Sequence, residues 1–337
     1  MLIYFYSFMV LVGCTHLSER QMNAPVNERP VSDTSNQALE DVLQEQYLVS
    51  ELKKQQDRPP EKMNTEQKVD SSTKKIALEK KKEIVKAEEV PLAWQLFDQS
   101  WIREGEYFLL NVNYMGLPAA SFAMEVKPSV MMNGKEVFHF HARAKSAKYY
   151  KWIYHLDDIV ESFVDKEFFV PFKYKLIQRE KKKDSDRIEI YDREKKMTYY
   201  RYVQVKNKVE SKDKQDAEIP FYSQDLFSSY FFMKGLPLHD GDHYQFPVTS
   251  KAKTWILSLK VEGRETLKHS LGEFQAIRLK VETHYEGNLA KKGTFLYWLS
   301  DDAKRMFLQF TAEVKIGSIK GSLAQYRLGD FQLTEKK

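Results

Sequence analysis

Apolar and polar residues alternate with period two over long stretches of the chain beyond Trp94. That period sends successive side chains to opposite faces of a strand, so each stretch predicts a strand with one dry and one wet face. Phe108, Leu110, Val112 and Tyr114 fall on one side, with Asn111 and Asn113 opposite. Phe122, Met124 and Val126 follow a Gly116-Leu117-Pro118 turn, and Phe138, Phe140, Ala142 and Ala144 oppose His139, His141 and Arg143. Trp255, Leu257, Leu259 and Val261 alternate with Ser258, Lys260 and Glu262; Ile277, Leu279 and Val281 alternate with Arg278, Lys280 and Glu282. The longest run sets Met306, Leu308, Phe310, Ala312, Val314 and Ile316 against Gln309, Thr311, Glu313 and Lys315. One wet face predicts antiparallel sheet, because parallel sheets are covered on both sides. Asn133-Gly134 predicts a type I′ hairpin, and Asp240-Gly241 reads the same way between Leu236-Pro237-Leu238 and Tyr244-Gln245-Phe246.

One segment changes period. Leu226, Phe227, Tyr230 and Phe231 recur at helical spacing, which predicts an amphipathic helix over 223–234. Ser223 would be its N-cap, Asp225 would suit its positive end, and Gly235 would follow its last turn. The fold class is therefore mainly β. A curved antiparallel sheet forms an open barrel or roll with one amphipathic helix over 94–333, since a long flat sheet would leave aggregation-prone edges.

Composition changes before Trp94. Between Thr15 and Val90 the only aromatic residue is Tyr47, and Glu, Gln, Lys, Ser, Asn and Pro abound. Such a segment cannot bury enough apolar surface to fold alone. Residues 14–93 thus read as a disordered or partly helical tether, with a short helix over 37–54 stopped by Arg58-Pro59-Pro60. The mixed-charge run 74–89, which contains Lys80-Lys81-Lys82, is either a basic patch for an anionic surface or a solvated linker.

Further upstream, Leu2 to Val12 is apolar apart from Ser7. It is too short to span a bilayer and matches the apolar core of a secretory signal, although no Lys or Arg precedes it. Leu11-Val12-Gly13-Cys14 looks like a bacterial lipobox, so 1–13 reads as a lipoprotein signal peptide and Cys14 as the lipidated mature N-terminus. Acyl chains on Cys14, each buried methylene contributing ~0.8 kcal/mol, would anchor the protein to a membrane with no spanning helix. Thr15 rather than Asp follows the Cys, which points to the outer membrane of a bacterial envelope, facing the periplasm.

The whole chain has 337 residues, with 53 Lys and Arg against 48 Asp and Glu, a net charge of +5. No apolar run approaches the ~20 residues of a spanning helix, which excludes a polytopic helical membrane protein. A single Cys excludes a disulfide scaffold and a Cys-rich zinc site.

Several segments together resemble one family. They are Gly105-Glu106-Tyr107 with Tyr114-Met115-Gly116, Asp157-Asp158 with Ser162, and Asp225-Leu226-Phe227-Ser228-Ser229-Tyr230. Leu236-Pro237-Leu238 with Gly241-Asp242, Gly263-Arg264-Glu265 before Gly272-Glu273-Phe274, and Trp298-Leu299-Ser300-Asp301-Asp302 complete the series. In this order and spacing they resemble the exported bacterial domain of unknown function DUF3108, over nearly all of 94–331. The resemblance implies a predominantly β, exported domain and brings no catalytic residue. Met306-Phe307 stands where members often carry Pro, and the long charged tether is not a shared feature.

Candidate chemistry is sparse. His139 and His141, two apart on a strand, project from one face and are weak metal candidates, since imidazole suits zinc or copper but no third ligand is nominated. An exposed polar face explains them too. His239-Asp240-Gly241-Asp242-His243 lacks the spacing and closing Glu of a calcium loop. Asp157, Asp158, Glu161 and Asp165 form an acidic cluster that reads as general acid–base chemistry or as a solvated edge at a strand-to-turn junction. Ser228 and Ser229 have no nucleophile-elbow context, and no phosphate loop or dinucleotide fingerprint is present, so no cofactor is predicted. Glu180 to Lys183 and Tyr199-Tyr200-Arg201-Tyr202 mix bases and rings as single-strand nucleic-acid binders do, but a charged hairpin tip and an aromatic sheet surface explain them more simply.

These features favour a non-enzymatic envelope lipoprotein whose β domain binds or scaffolds a lipid, a glycan or a protein partner, and no nucleic acid. Tyr149, Tyr150, Trp152 and Tyr154, with Phe231 and Phe232 from the helix, are the expected groove residues, because rings with polar tips line wet-dry boundaries well. They serve equally well as core. A hydrolase of envelope polymer and a spacer between membrane and wall are the alternatives.

Overall fold

A computed structural model describes residues 89–148, 155–181, 183–284, 295–314 and 317–329. The signal peptide, Cys14 and nearly all of the tether lie outside the described residues, as do Tyr149, Tyr150, Trp152 and Tyr154. A five-residue helix, α1 (Leu92–Leu96), precedes a 3₁₀ turn at Gln99–Trp101.

The first meander comprises β1 (Glu106–Tyr114), β2 (Leu117–Met132), β3 (Lys135–Ser146), β4 (Leu156–Asp165), β5 (Pro171–Glu180), β6 (Lys183–Asp192), β7 (Met197–Lys206) and β8 (Val209–Glu218). Helix α2 (Ser228–Gly235) follows. A second meander comprises β9 (His243–Ser250), β10 (Lys253–His269), β11 (Gly272–His284), β12 (Phe295–Ser300), β13 (Phe307–Glu313) and β14 (Ser318–Leu328). Pairing of β1 with β14 joins the two meanders into one antiparallel sheet, ordered β8-β7-β6-β5-β4-β3-β2-β1-β14-β13-β12-β11-β10-β9. The sheet is not closed, and its edges are β8 and β9. Bulges at Lys127/Val130 and Val261/Gly263 bend its two longest strands, β2 and β10, and another falls at Trp298/Leu299 in the short β12.

The curl has a filled centre. Phe231 of α2 stacks on Phe140 of β3 at 3.8 Å between centroids, Phe232 meets Phe246 of β9 at 5.0 Å, and Tyr230 meets Phe307 of β13 at 5.0 Å. The helix therefore touches strands of both meanders and is buried nearly all round rather than amphipathic. Phe231 and Phe232 are 2% and 0% exposed. They are core, and they line no open groove.

The start of α2 also differs from expectation. Ser223 is not its cap. Residues just before the helix instead cover the β9 edge: Gln224 N–H donates to Pro247 O at 3.0 Å, and Thr249 N–H donates to Gln224 O at 2.8 Å. The cap is the buried Asp225 carboxylate. Its Oδ1 accepts from Phe227 N and Ser228 N, both at 2.7 Å, and its Oδ2 accepts from the Ser162 hydroxyl at 2.5 Å. Gly235 is the last helical residue, not the one after it. A Cβ there would stand 2.2 Å from the Phe97 ring, so the site admits no side chain. Arg305 closes the helix by donating to Lys234 O and Leu236 O at 2.6 and 2.7 Å.

Asn133 and Gly134 take φ of 52° and 73°, as the type I′ turn requires. Asp240-Gly241 also turns, but no strand precedes it, so it opens β9 without a hairpin. Of the alternation expected over 306–316, Lys315 and Ile316 lie outside the described residues, and over the rest it holds only in part. β13 covers Phe307–Glu313, and Gln309 is buried along with Leu308 and Phe310.

Candidate functional site

The acidic cluster does not assemble. Asp157, Asp158 and Glu161 lie within β4 rather than at a junction, and the strand period divides them. Asp157 faces outward and is held by the Arg143 fork at 2.7 and 2.8 Å, which keeps its carboxyl below the usual range. Glu161 faces outward too, with His139 Nε2 at 2.9 Å holding its pKa down. Asp158 faces inward, accepting from Gln178 Nε2 at 3.0 Å and Arg179 N–H at 3.1 Å; burial pushes it up to about 6. Asp165 ends the strand and caps Phe168 N–H at 2.8 Å.

His139 and His141 do share a face, but the His139 ring stacks on Phe163 at 4.4 Å and is engaged by Glu161. Burial lowers the His141 pKa. Among the described residues no group of three or more potential ligands is placed to hold a metal. Asp240 and Asp242 are likewise engaged, Asp240 by Arg264 and Asp242 by His239 N–H at 2.9 Å. Tyr200 and Tyr202 face the inner wall, whereas Arg201 turns outward to Asp216 at 2.5 Å.

Two other places gather polar groups. The first is a cleft of about 670 Å³. Its floor is a row of side chains that register sets side by side across four strands: Gln309 pairs with Ser322, Ser322 with Asn111, and Asn111 with Ser121. Its roof is the tip of the long β10–β11 hairpin, where Lys268, His269 and Ser270 reach over the floor; Lys320 and Asn113 complete the polar rim. His269 Nδ1 accepts from Leu271 N–H at 3.1 Å, which places the ring proton of the neutral form on Nε2. That Nε2 meets no protein partner among the described residues. Burial, then nearby Lys320, lowers the His269 pKa, so the ring is held as a neutral donor.

The second place is the inner wall of β4 to β7. Register puts Asp158, Gln178 and Ser185 in one row, and Leu176, Arg187 and Tyr202 in the next. Ser185 Oγ donates to Gln178 Oε1 at 3.2 Å. One step on, Glu189 accepts from the backbone N–H of Lys251 and Ala252 at 2.8 and 2.9 Å, fixing the β9–β10 turn against β6. Tyr191 OH donates to Thr249 O at 3.1 Å beside it. Arg193, at the end of the same strand, donates to the carbonyls of Pro171, Pro220, Phe221 and Ser223 and clamps the chain leading into α2.

Sequence reasoning missed both places. Asn111 and Gln309 were visible as polar partners in alternating runs, but only pairing brings them into one row. Lys183 ends the run 180–183, whose charges read as a hairpin tip, and Arg187, four residues on within β6, carries no sequence signal of its own.

The sequence model of the family described as "Protein of unknown function (DUF3108)" matches residues 110–324. No curated protein matches the chain. Among solved structures, the chain is similar to a β-barrel-like protein of the domain of unknown function DUF1849 from Brucella abortus. That match has 10% identity and a TM-score of 0.44, over 68% of this chain and 99% of that one. It is also similar to a protein from Parabacteroides distasonis named putative lipoprotein, at 7% identity, with a TM-score of 0.29 over 69% and 98%. A third is a protein from Bacteroides fragilis named putative exported protein with YmcC-like fold, at 12% identity, with a TM-score of 0.27 over 67% and 96%.

Proposed function

The chain belongs to the DUF3108 family, and from that premise we propose a cell-envelope lipoprotein, anchored through Cys14, whose β domain holds a glycan strand in the cleft under the β10–β11 hairpin. The lining of the cleft carries this reading. Its volume falls within the ~300–1,000 Å³ range of ligand sites. Amides at Asn111, Asn113 and Gln309 and hydroxyls at Ser121 and Ser322 each offer donors and acceptors together. Sugar hydroxyls and N-acetyl groups ask for that mixture. An acyl chain asks for the aliphatic and aromatic lining that only Pro118, Ala120 and Ala147 begin to supply. Lys268 and Lys320 add positive charge suited to carboxylates carried on an envelope polymer.

Titration of the full-length protein with N-acetylated glycan strands released from cell walls tests the reading. The expected result is saturable binding that weakens at least tenfold in Asn111→Ala with Ser322→Ala, while the circular dichroism stays that of the parent. Wild-type protein that ignores the strands, or a double variant that binds them undiminished, would overturn it.

A further inference from the structure

We infer that the inner wall of β6 and β7 holds a second binding site, centred on Arg187, for a phosphate-type oxyanion. It lies on the opposite face of the sheet from the glycan cleft and shares no residue with it.

Arg187 is 3% exposed, yet its Nε and Nη1 meet no acceptor among the described residues. A fold rarely leaves guanidinium donors dry and unmet unless something offsets the loss of water. The Tyr200 and Tyr202 rings, 5.9 and 5.6 Å from the guanidinium carbon, supply part of the offset. A ring face, however, offers no lone pair to a donor in the guanidinium plane.

Asp186, next to Arg187 in the chain, points to the other face and pairs with Arg179 at 2.6 Å, and the nearest acid on the same face of the strand is already engaged. Both Glu189 oxygens accept backbone N–H groups of the β9–β10 turn, and Oε1 also accepts from Thr198 Oγ1 at 3.1 Å. Asp158 is held by Gln178 and Arg179. Asp213 pairs in register with Tyr202 but on the exposed edge strand.

Lys183 stands four residues from Arg187 on the same face of β6 and adds a second cation. Burial, then the charges of Arg187, Lys251 and Lys206, pushes its ammonium down to about 7. An anion between Lys183 and Arg187 would relieve that repulsion. Tetrahedral oxyanions present acceptors in several directions and can meet both cations at once, whereas a carboxylate has two oxygens in one plane. Lys183, Tyr202 and Gln204 on this wall are half-buried rather than sealed.

The test is calorimetric titration of the full-length chain in detergent with inorganic phosphate, at constant ionic strength set by chloride. Wild type should bind saturably at one site, and its Tm should rise with phosphate. Arg187→Met should lose at least tenfold in affinity. Because a buried change can compromise folding, Lys183→Gln at a half-buried position is the second variant, expected to weaken phosphate severalfold with unchanged circular dichroism. Short-chain phosphatidate binding more tightly than phosphate would identify a lipid headgroup, and the reverse order a free anion. Absence of saturable phosphate binding, equal affinity for acetate, or undiminished binding by a folded Lys183→Gln would overturn the proposal.

Discussion

Lys234, in the last turn of α2, and Glu106, the first residue of β1, form an ion pair with both side chains sealed from solvent, 128 positions apart in the chain. The pair ties the central helix to the strand where the two meanders join. Burial raises the Glu106 pKa and lowers that of Lys234, so each needs the other to stay charged. Glu106→Gln should therefore cost ~3–5 kcal/mol by leaving a buried ammonium uncompensated. Replacing both partners, as Glu106→Leu with Lys234→Met, should recover most of that loss. Urea unfolding of wild type and the two variants checks this; equal losses in the single and double variants would mean that the pair is not what holds the helix.

Asp158 gives the domain a pH dependence with a defined sign. Its folded pKa of about 6 stands above the ordinary 3.8 because the carboxyl is buried. The protonated form is favoured in the fold, so its stabilisation is complete below about pH 4 and is lost as pH rises through 6. A gap of that size corresponds to about 3 kcal/mol. Asp158→Asn keeps an acceptor for Gln178 and Arg179 without the charge. It should be more stable than wild type at pH 8, with the advantage fading toward pH 4. Paired urea titrations at the two pH values measure the difference directly.

What the sequence revealed, and what it hid, follows from exposure. Strands with one dry face were legible: Phe108, Leu110 and Val112 announce β1, and Phe138 to Ala144 announce β3. β8 was not, because Val209–Glu218 is exposed or half-exposed on both faces and is mostly charged, as suits an unpaired edge. Helix α2 was legible as a helix, but its boundaries moved once Gln224 was recruited to cover β9 and Asp225 became the cap. Gln309 reads as a wet-face residue until the hairpin tip covers it. Arg187 looks like one more charge in a charged segment, and only the curl of the sheet makes it a buried cation.

The lipid anchor makes its own prediction. If Cys14 carries the acyl chains, Cys14→Ala should leave an uncleaved precursor or release the protein from the membrane. Fractionation of cells expressing each form, with mass spectrometry of the N-terminus, reads the outcome. A Cys14→Ala protein that is processed and sediments with the membrane as wild type does would remove the anchor from the proposed function.

Helix α2 should behave as a plug rather than a gate. Eight residues are too few for a helix to hold itself together in water, so its stability must come from packing. That packing reaches Phe140 on β3, Phe246 on β9 and Phe307 on β13. Opening the helix would strip contacts from both meanders at once, and such an opening approaches global unfolding in free energy. Amides at the end of the helix should then exchange as slowly as those in the middle of β4, and detergent or lipid should not change them. β8, bonded on one side only and wet on both faces, should exchange first among the strands. Hydrogen exchange read by mass spectrometry resolves the two segments. Helix exchange faster than that of β4, or accelerated by lipid, would show a movable element and reopen the interior to apolar ligands.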